Sequence, residues 1–163
     1  MNTQRNDSAI AGQIGALLKR WSEAVRERDT DAIMACYHSD VIAFDAINQL
    51  QFKGLDAYRQ HWAACLDMCP GAMVFEQHDL VVHGEGETAF AHWLNRCGVE
   101  GDKDHPQGCW MRGSAGYRLT DAGWKIIHEH FSAPFDMISS KALLDLQPDE
   151  HRPLEAGHQG RRH

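Results

Sequence analysis

The stretch Arg28–Trp62, RDTDAIMACYHSDVIAFDAINQLQFKGLDAYRQHW, decides the fold. Within it, Thr30 or Asp31 can cap a short helix whose buried side is Ile33, Met34 and Tyr37. VIAFD, Val41 to Asp45, follows as a compact run of strand type, and the polar AINQ after it reads as a turn leading to Phe52. Gly54 then interrupts the pattern before Leu55, Tyr58, Trp62, Cys65 and Leu66, which recur at helical steps.

Upstream, Ile10, Ile14, Leu17, Leu18, Trp21, Ala24 and Val25 repeat every three or four residues from Ser8 to about Arg28, with Asp7 or Ser8 available as N-cap. Downstream of CPG, the runs AMVFEQHDLVVHG, ETAFAHWLNRCGV, CWMRGSAGYRLT and WKIIHEHFS predict four long antiparallel strands separated by glycine-containing turns. The polar loop EGDKDHPQG between the second and third is expected to be mobile. From Phe135, FDMISSKALLDLQ predicts a short helix, and PDEHRPLEAGHQGRRH has too little apolar content to fold. The expected organisation is a domain over 8–134 and a C-terminal extension over 135–163. Helices first and a strand meander afterwards define an α+β fold with helices on one face of a curved, mostly antiparallel sheet.

Composition narrows the partners. With 163 residues and 43% hydrophobic content, the chain has enough apolar material for one core. Sixteen Lys and Arg against twenty-three Asp and Glu give a formal charge of −7 and no basic stripe, which disfavours nucleic acid. The N-terminal MNTQRNDSAIAGQIG lacks an apolar core of signal-peptide length and no segment reaches a membrane span, so the expectation is a cytoplasmic protein with no membrane partner. Five cysteines without a CxxC pair argue against a disulfide framework or a tetrathiolate zinc site, and buried thiols acting as small hydrophobes are the expectation.

The order of these elements, with an Asp closing the first strand, resembles the nuclear transport factor 2-like (cystatin-like) cone. Arg28–Trp62 resembles the front half of SnoaL-like and ketosteroid-isomerase-like proteins. GWKIIHEHFSAP, Gly123–Pro134, resembles the last strand of the SnoaL-like group and of the calcium/calmodulin-dependent kinase hub domain. The resemblance, spanning about Leu17 to Pro134, implies a pocket between helices and sheet, a small hydrophobic ligand, and a homodimer formed through the outer sheet face. It also implies that Asp45 falls where ketosteroid isomerase keeps its base. A carboxylate among Phe44, Trp62 and apolar helix faces loses water and becomes a stronger base. The alternative for Asp45 is a turn-capping role at DAIN.

Ketosteroid isomerase sets its base against a Tyr and a protonated Asp. By the resemblance, those two donor positions fall near Ser22 and Ala115 here, so Tyr58, Tyr117 or a His must substitute if the chemistry is similar. Alternation along the last strand groups Trp124, Ile126, His128 and His130 on one side and Lys125, Ile127, Glu129 and Phe131 on the other. Because Lys125 and Glu129 look like the wetter set, His128 and His130 are expected on the buried side as catalytic partners of Asp45. Phe131 leaves that facing open.

On the strand before, Arg112 and Ser114 are placed to meet the two His across the sheet, where a buried Arg112 needs a carboxylate such as Asp45 or a bound anion. Trp62, His92, Arg112 and Tyr117 complete the expected ligand-binding set. Three convergent His would suit a transition metal, but His at alternate strand positions recur in the kinase hub without one, and no metal or other cofactor is expected. The hub's carboxylate-binding Arg positions fall near Leu94, Ala115 and Phe131, which makes this pocket more apolar. The leading expectation is an acid/base isomerase, cyclase or dehydratase acting on a hydrophobic carbonyl compound, and the alternative is a non-catalytic ligand-binding or oligomerisation domain.

Overall fold

The computed structural model describes residues 2–104 and 108–152, with side chains from residue 8 onward. Residues 105–107 of the polar loop, and the C-terminal stretch 153–163 with His158 and His163, lie outside the described residues.

Among the described residues nine elements follow in order: α1 (Asn2–Glu27), α2 (Thr30–Met34), β1 (Tyr37–Phe44), β2 (Phe52–Lys53), α3 (Leu55–Met68), β3 (Met73–Glu85), β4 (Thr88–Val99), β5 (Cys109–Thr120) and β6 (Gly123–Ser132). The strands form one six-stranded sheet in the order β2-β1-β6-β5-β4-β3. Among the described strands, β1 and β6 pair in parallel and the other neighbours antiparallel. This is the expected α+β architecture, with α1 and α3 laid over the inner face.

Local chemistry refines several expected boundaries. Helix α1 begins at Asn2, upstream of Asp7 and Ser8. Asp29, rather than Thr30 or Asp31, caps α2, its carboxylate accepting from the Ala32 N–H at 2.9 Å. Gly54 enters α3 at φ +85°, a left-handed backbone that costs glycine no Cβ clash, and its N–H donates to the Val41 carbonyl at 2.8 Å. At the other end of α3, the Arg28 guanidinium donates to the carbonyls of Leu66 and Cys69, satisfying acceptors that a helix end leaves open.

The expected helix after Phe135 does not form. Phe135 and Ala142 make an isolated antiparallel bridge instead, and Asp136 closes the turn by accepting from the Ser139 N–H at 2.7 Å. Asp and Ser offer the backbone such local alternatives to a helix. Phe135, Met137 and Ile138 remain exposed, so no apolar face is buried to support one.

The core centres on Trp21 of α1. Its ring stands 5.9 Å from Trp62, 5.1 Å from Phe75 and 6.3 Å from Trp93, edge to face, and stacks on Phe131 at 6.0 Å. Trp93 lies across Gly113, where any Cβ would meet the indole Cε2 at 2.5 Å. That glycine lets the tryptophan lie flat enough to support its neighbour Asn95.

The pairing of β5 with β6 slips by one residue. Tyr117 pairs with Ile126 and Gly116 with His128, so Ile127 is an extra residue in β6. A bulge of this kind reverses which side chains point inward. Trp124 and Ile126 are buried before it, and Glu129 and Phe131 after it.

Candidate functional site

Between α3 and the inner sheet face lies a cavity of about 230 Å³. Its walls are apolar and sulfur-rich. Trp62, Phe75 and Phe131 supply aromatic surface, while Cys65, Cys69, Cys97, Cys109, Met73 and Met111 supply thiols and thioethers. Three polar side chains join this lining: Asp45, His61 and Asn95.

Asp45 sits just past the end of β1 with its side chain 12% exposed. One carboxylate oxygen, Oδ1, accepts from the Ile47 N–H at 3.0 Å, the turn-capping bond expected of DAIN. The turn and the cavity therefore use the same carboxylate, and capping fixes its direction. His61 Nε2 stands 3.4 Å from Oδ1, and the Tyr58 hydroxyl 3.3 Å from Oδ2. The His61 ring is stacked on Phe52 with centroids 4.1 Å apart, which locks its orientation. Tyr58, His61, Trp62 and Cys65 share one face of α3 at three- and four-residue steps, so one helix carries half of the constellation. On β4, the Trp93 indole N–H donates to Asn95 Oδ1 at 3.3 Å, leaving the amide NH₂ as the donor side.

Behind Tyr58 lies Glu129, completely buried. Its Oε2 accepts from the Tyr58 hydroxyl at 2.6 Å and the Tyr37 hydroxyl at 2.8 Å, while Oε1 has no hydrogen-bond partner among the described residues. Burial pushes this carboxyl up to about 8, with the two tyrosine hydrogen bonds pulling it partway back and the Asp45 charge raising it further. Burial, followed by the Glu129 charge, holds the Tyr37, Tyr58 and Tyr117 hydroxyls well above their ordinary range.

The expected facing of the paired His is corrected. His128 and His130 lie on the outer sheet face, because the bulge at Ile127 shifts the alternation that buries Trp124 and Ile126. His128 Nδ1 is 2.8 Å from the Ile42 carbonyl, and the Phe44 ring meets the two imidazoles edge to face at 4.8 and 6.1 Å. Arg112 and His92 are exposed on the same outer face. Ser114 does stand opposite His130, as expected, and His92 opposite Ser114. His92, Arg112, Ser114 and His130 line one open outer groove to which Asp45 does not contribute. Because Arg112 is exposed, the need of a buried Arg112 for Asp45 or a bound anion does not arise.

Of the other expected ligand contacts, Trp62 lines the cavity, whereas Tyr117 is buried beneath the sheet–helix layer and outside the lining. Ala115, Leu94 and Phe131 are apolar, as their identities require, and only Phe131 reaches the cavity. Among the described residues, no three His, Cys, Asp or Glu side chains converge as a metal site.

His61, Glu129 and Asn95 were not singled out by sequence reasoning. The available signal for His61 was its place three residues after Tyr58 on the face that also carries Trp62 and Cys65. Glu129 carried none, because strict alternation assigned it to the wet side.

Residues 14–136 match the SnoaL-like domain family, and the chain belongs to it. Among solved structures, an NTF2-like protein of unknown function from Pseudomonas putida KT2440 is 52% identical, with a TM-score of 0.82 over 86% of this chain and 98% of that one. A candidate ketosteroid isomerase from Parabacteroides distasonis is 26% identical, with a TM-score of 0.59 over 73% of this chain and 83% of that one. A candidate dehydratase of the NTF2-like family from Streptomyces avermitilis, 16% identical with a TM-score of 0.67 over 77% of this chain and 97% of that one, shares the fold. No curated protein matches the chain. Among the described residues, no helix is long and apolar enough to cross a membrane.

Proposed function

We propose that the protein is an acid/base enzyme that moves a proton on a small hydrophobic carbonyl compound, as an isomerase, cyclase or dehydratase does. Asp45 is the base. His61 and the Ile47 N–H orient its carboxylate, and the Asn95 amide faces the developing oxyanion. The observation that carries this reading is the placement of Asp45, with the Ile47 N–H and the Tyr58 hydroxyl in hydrogen-bond reach and the His61 imidazole 3.4 Å away, in the wall of a mostly apolar cavity. A base held in position and shielded from water needs little reorganisation to take a proton. The cavity of about 230 Å³ lies at the small end for ligand pockets, which suits a one- or two-ring molecule. The outer sheet face, with exposed Ile42, Phe44, Val81 and Phe90, is the surface on which a homodimer would form.

Exchange of α-hydrogens for deuterium in D₂O tests the reading without knowledge of the product. One- and two-ring cyclic ketones are incubated with the protein and followed by proton NMR. The expected result is accelerated exchange for at least one ketone, reduced about 10²–10⁴-fold in Asp45→Asn. Exchange that is equally fast in Asp45→Asn would remove the carboxylate from the mechanism.

A further inference from the structure

The Tyr58 hydroxyl carries one hydrogen and lies within reach of two carboxyl groups, Glu129 Oε2 at 2.6 Å and Asp45 Oδ2 at 3.3 Å. It can donate to only one of them at a time. Which one is settled by whether Glu129 holds a proton. When Glu129 is ionised, Tyr37 and Tyr58 both donate to Oε2, and Asp45 Oδ2 loses its donor. When Glu129 is neutral, Tyr37 still donates to Oε2, the proton on Oε2 is donated to the Tyr58 oxygen, and the Tyr58 hydrogen turns to Asp45. The neutral arrangement accounts for every hydrogen in the chain. It also leaves Oε1 as an uncharged carbonyl oxygen, which is less costly to bury unpaired than half of a carboxylate.

We propose that Glu129 is a positioning residue for the base: through the direction of the Tyr58 hydroxyl, its protonation state sets whether Asp45 Oδ2 holds a hydrogen bond. Ionising Glu129 withdraws a hydrogen bond from Asp45 and places a second negative charge behind it. Neutral Glu129 keeps Asp45 Oδ2 hydrogen-bonded. The naming of Asp45 as base rests on the proposed function, but the coupling between the two carboxyls is a property of the free protein.

The groups around Glu129 are compatible with this role. Tyr37 reaches it from β1, Tyr58 from α3 and Tyr117 from β5, with Asp45 beyond Tyr58 and Cys36 before β1. From α1, Trp21 stacks on neighbouring Phe131, and no α1 group is among the charges acting on Glu129. With no Lys or Arg among these groups, an ionised Glu129 is met by the two tyrosine hydroxyls and by no positive charge among them. The tyrosines keep their protons throughout the range in which Glu129 loses its own, so Tyr58 can reverse without ionising.

The test is carboxyl-carbon NMR of ¹³C-labelled, ligand-free protein between pH 6 and 10, with the Asp45 signal assigned through Asp45→Asn. The expected result is a step in the Asp45 signal near pH 8 that coincides with the titration of Glu129. It should vanish in Glu129→Gln and move to higher pH in Tyr37→Phe, which removes a hydrogen bond that favours the ionised form. In Tyr58→Phe, Glu129 should still titrate while the Asp45 step shrinks severalfold. A wild-type Asp45 signal that is flat through the Glu129 titration, or a step that survives in Glu129→Gln, would overturn the proposal. An undiminished step in Tyr58→Phe would do the same for the hydroxyl route. Because no substrate is present, these outcomes are separate from the ketone-exchange result.

Discussion

The two faces of β6 present opposite chemistry within three residues. His128 and His130 look outward beside Phe44, and His130 shares a groove with His92 and Arg112, while Glu129 between the two His is completely enclosed. A charge count alone would place the carboxylate in water and the imidazoles inside. The difference teaches that strand register outweighs side-chain polarity: Ile127 occupies an extra position, and everything after it changes sides. The inward carboxyl is tolerated because two tyrosines meet it and because burial lets it keep its proton.

The strongest way to break that contrast is to delete Ile127. Without the bulge residue, either Trp124 and Ile126 or Glu129 and Phe131 must face water, and the expected outcome is loss of the cooperative urea transition. A deletion variant with wild-type stability would show that the facing is imposed from elsewhere.

A smaller effect separates the faces by pH. The Glu129 carboxyl holds its proton to about pH 8 in the fold and to about 4.5 as an ordinary glutamate, so unfolding between these values releases a proton. Its stabilising contribution is complete below about pH 4.5 and is lost as pH rises through about 8. Glu129→Gln has no proton to release. Its stability relative to wild type should therefore rise by up to about 5 kcal/mol between pH 4 and pH 9, measured by urea unfolding at each pH. A constant difference across that range would place the Glu129 titration elsewhere.

The smallest effect is expected on the outer face. Replacing both His128 and His130 by alanine should leave stability within about 1 kcal/mol and ketone exchange within about twofold, as for substitutions outside a core or site. A hundredfold loss of exchange would return the imidazoles to the mechanism.

The element order was legible because its signals are local and redundant. α1, α3 and the four long strands each carry apolar residues at the period of the structure they form, and a one-residue error at an end changes nothing downstream. Asp45 was singled out as the last residue of VIAFD, a position that the resemblance connects to a base. Glu129 was not, since a bulge leaves no mark in a run such as WKIIHEHF and alternation counted from Lys125 carries through it unbroken. His61 was hidden differently. Its helix face was recognised as core, and a core face does not announce which member will meet a carboxylate from another strand. The expected helix after Phe135 failed for a third reason, since apolar spacing predicts a helix only where something covers it.

The sulfur lining of the cavity has a chemical consequence for any conjugated ketone that enters. Burial pushes the Cys65 and Cys97 thiols up to about 11 and raises Cys109 as well, so these groups stay protonated at neutral pH. These three thiols thus offer soft, polarisable contact to an aromatic edge while withholding the thiolate that would add across an enone. A reactive guest can rest against these sulfurs and leave unmodified.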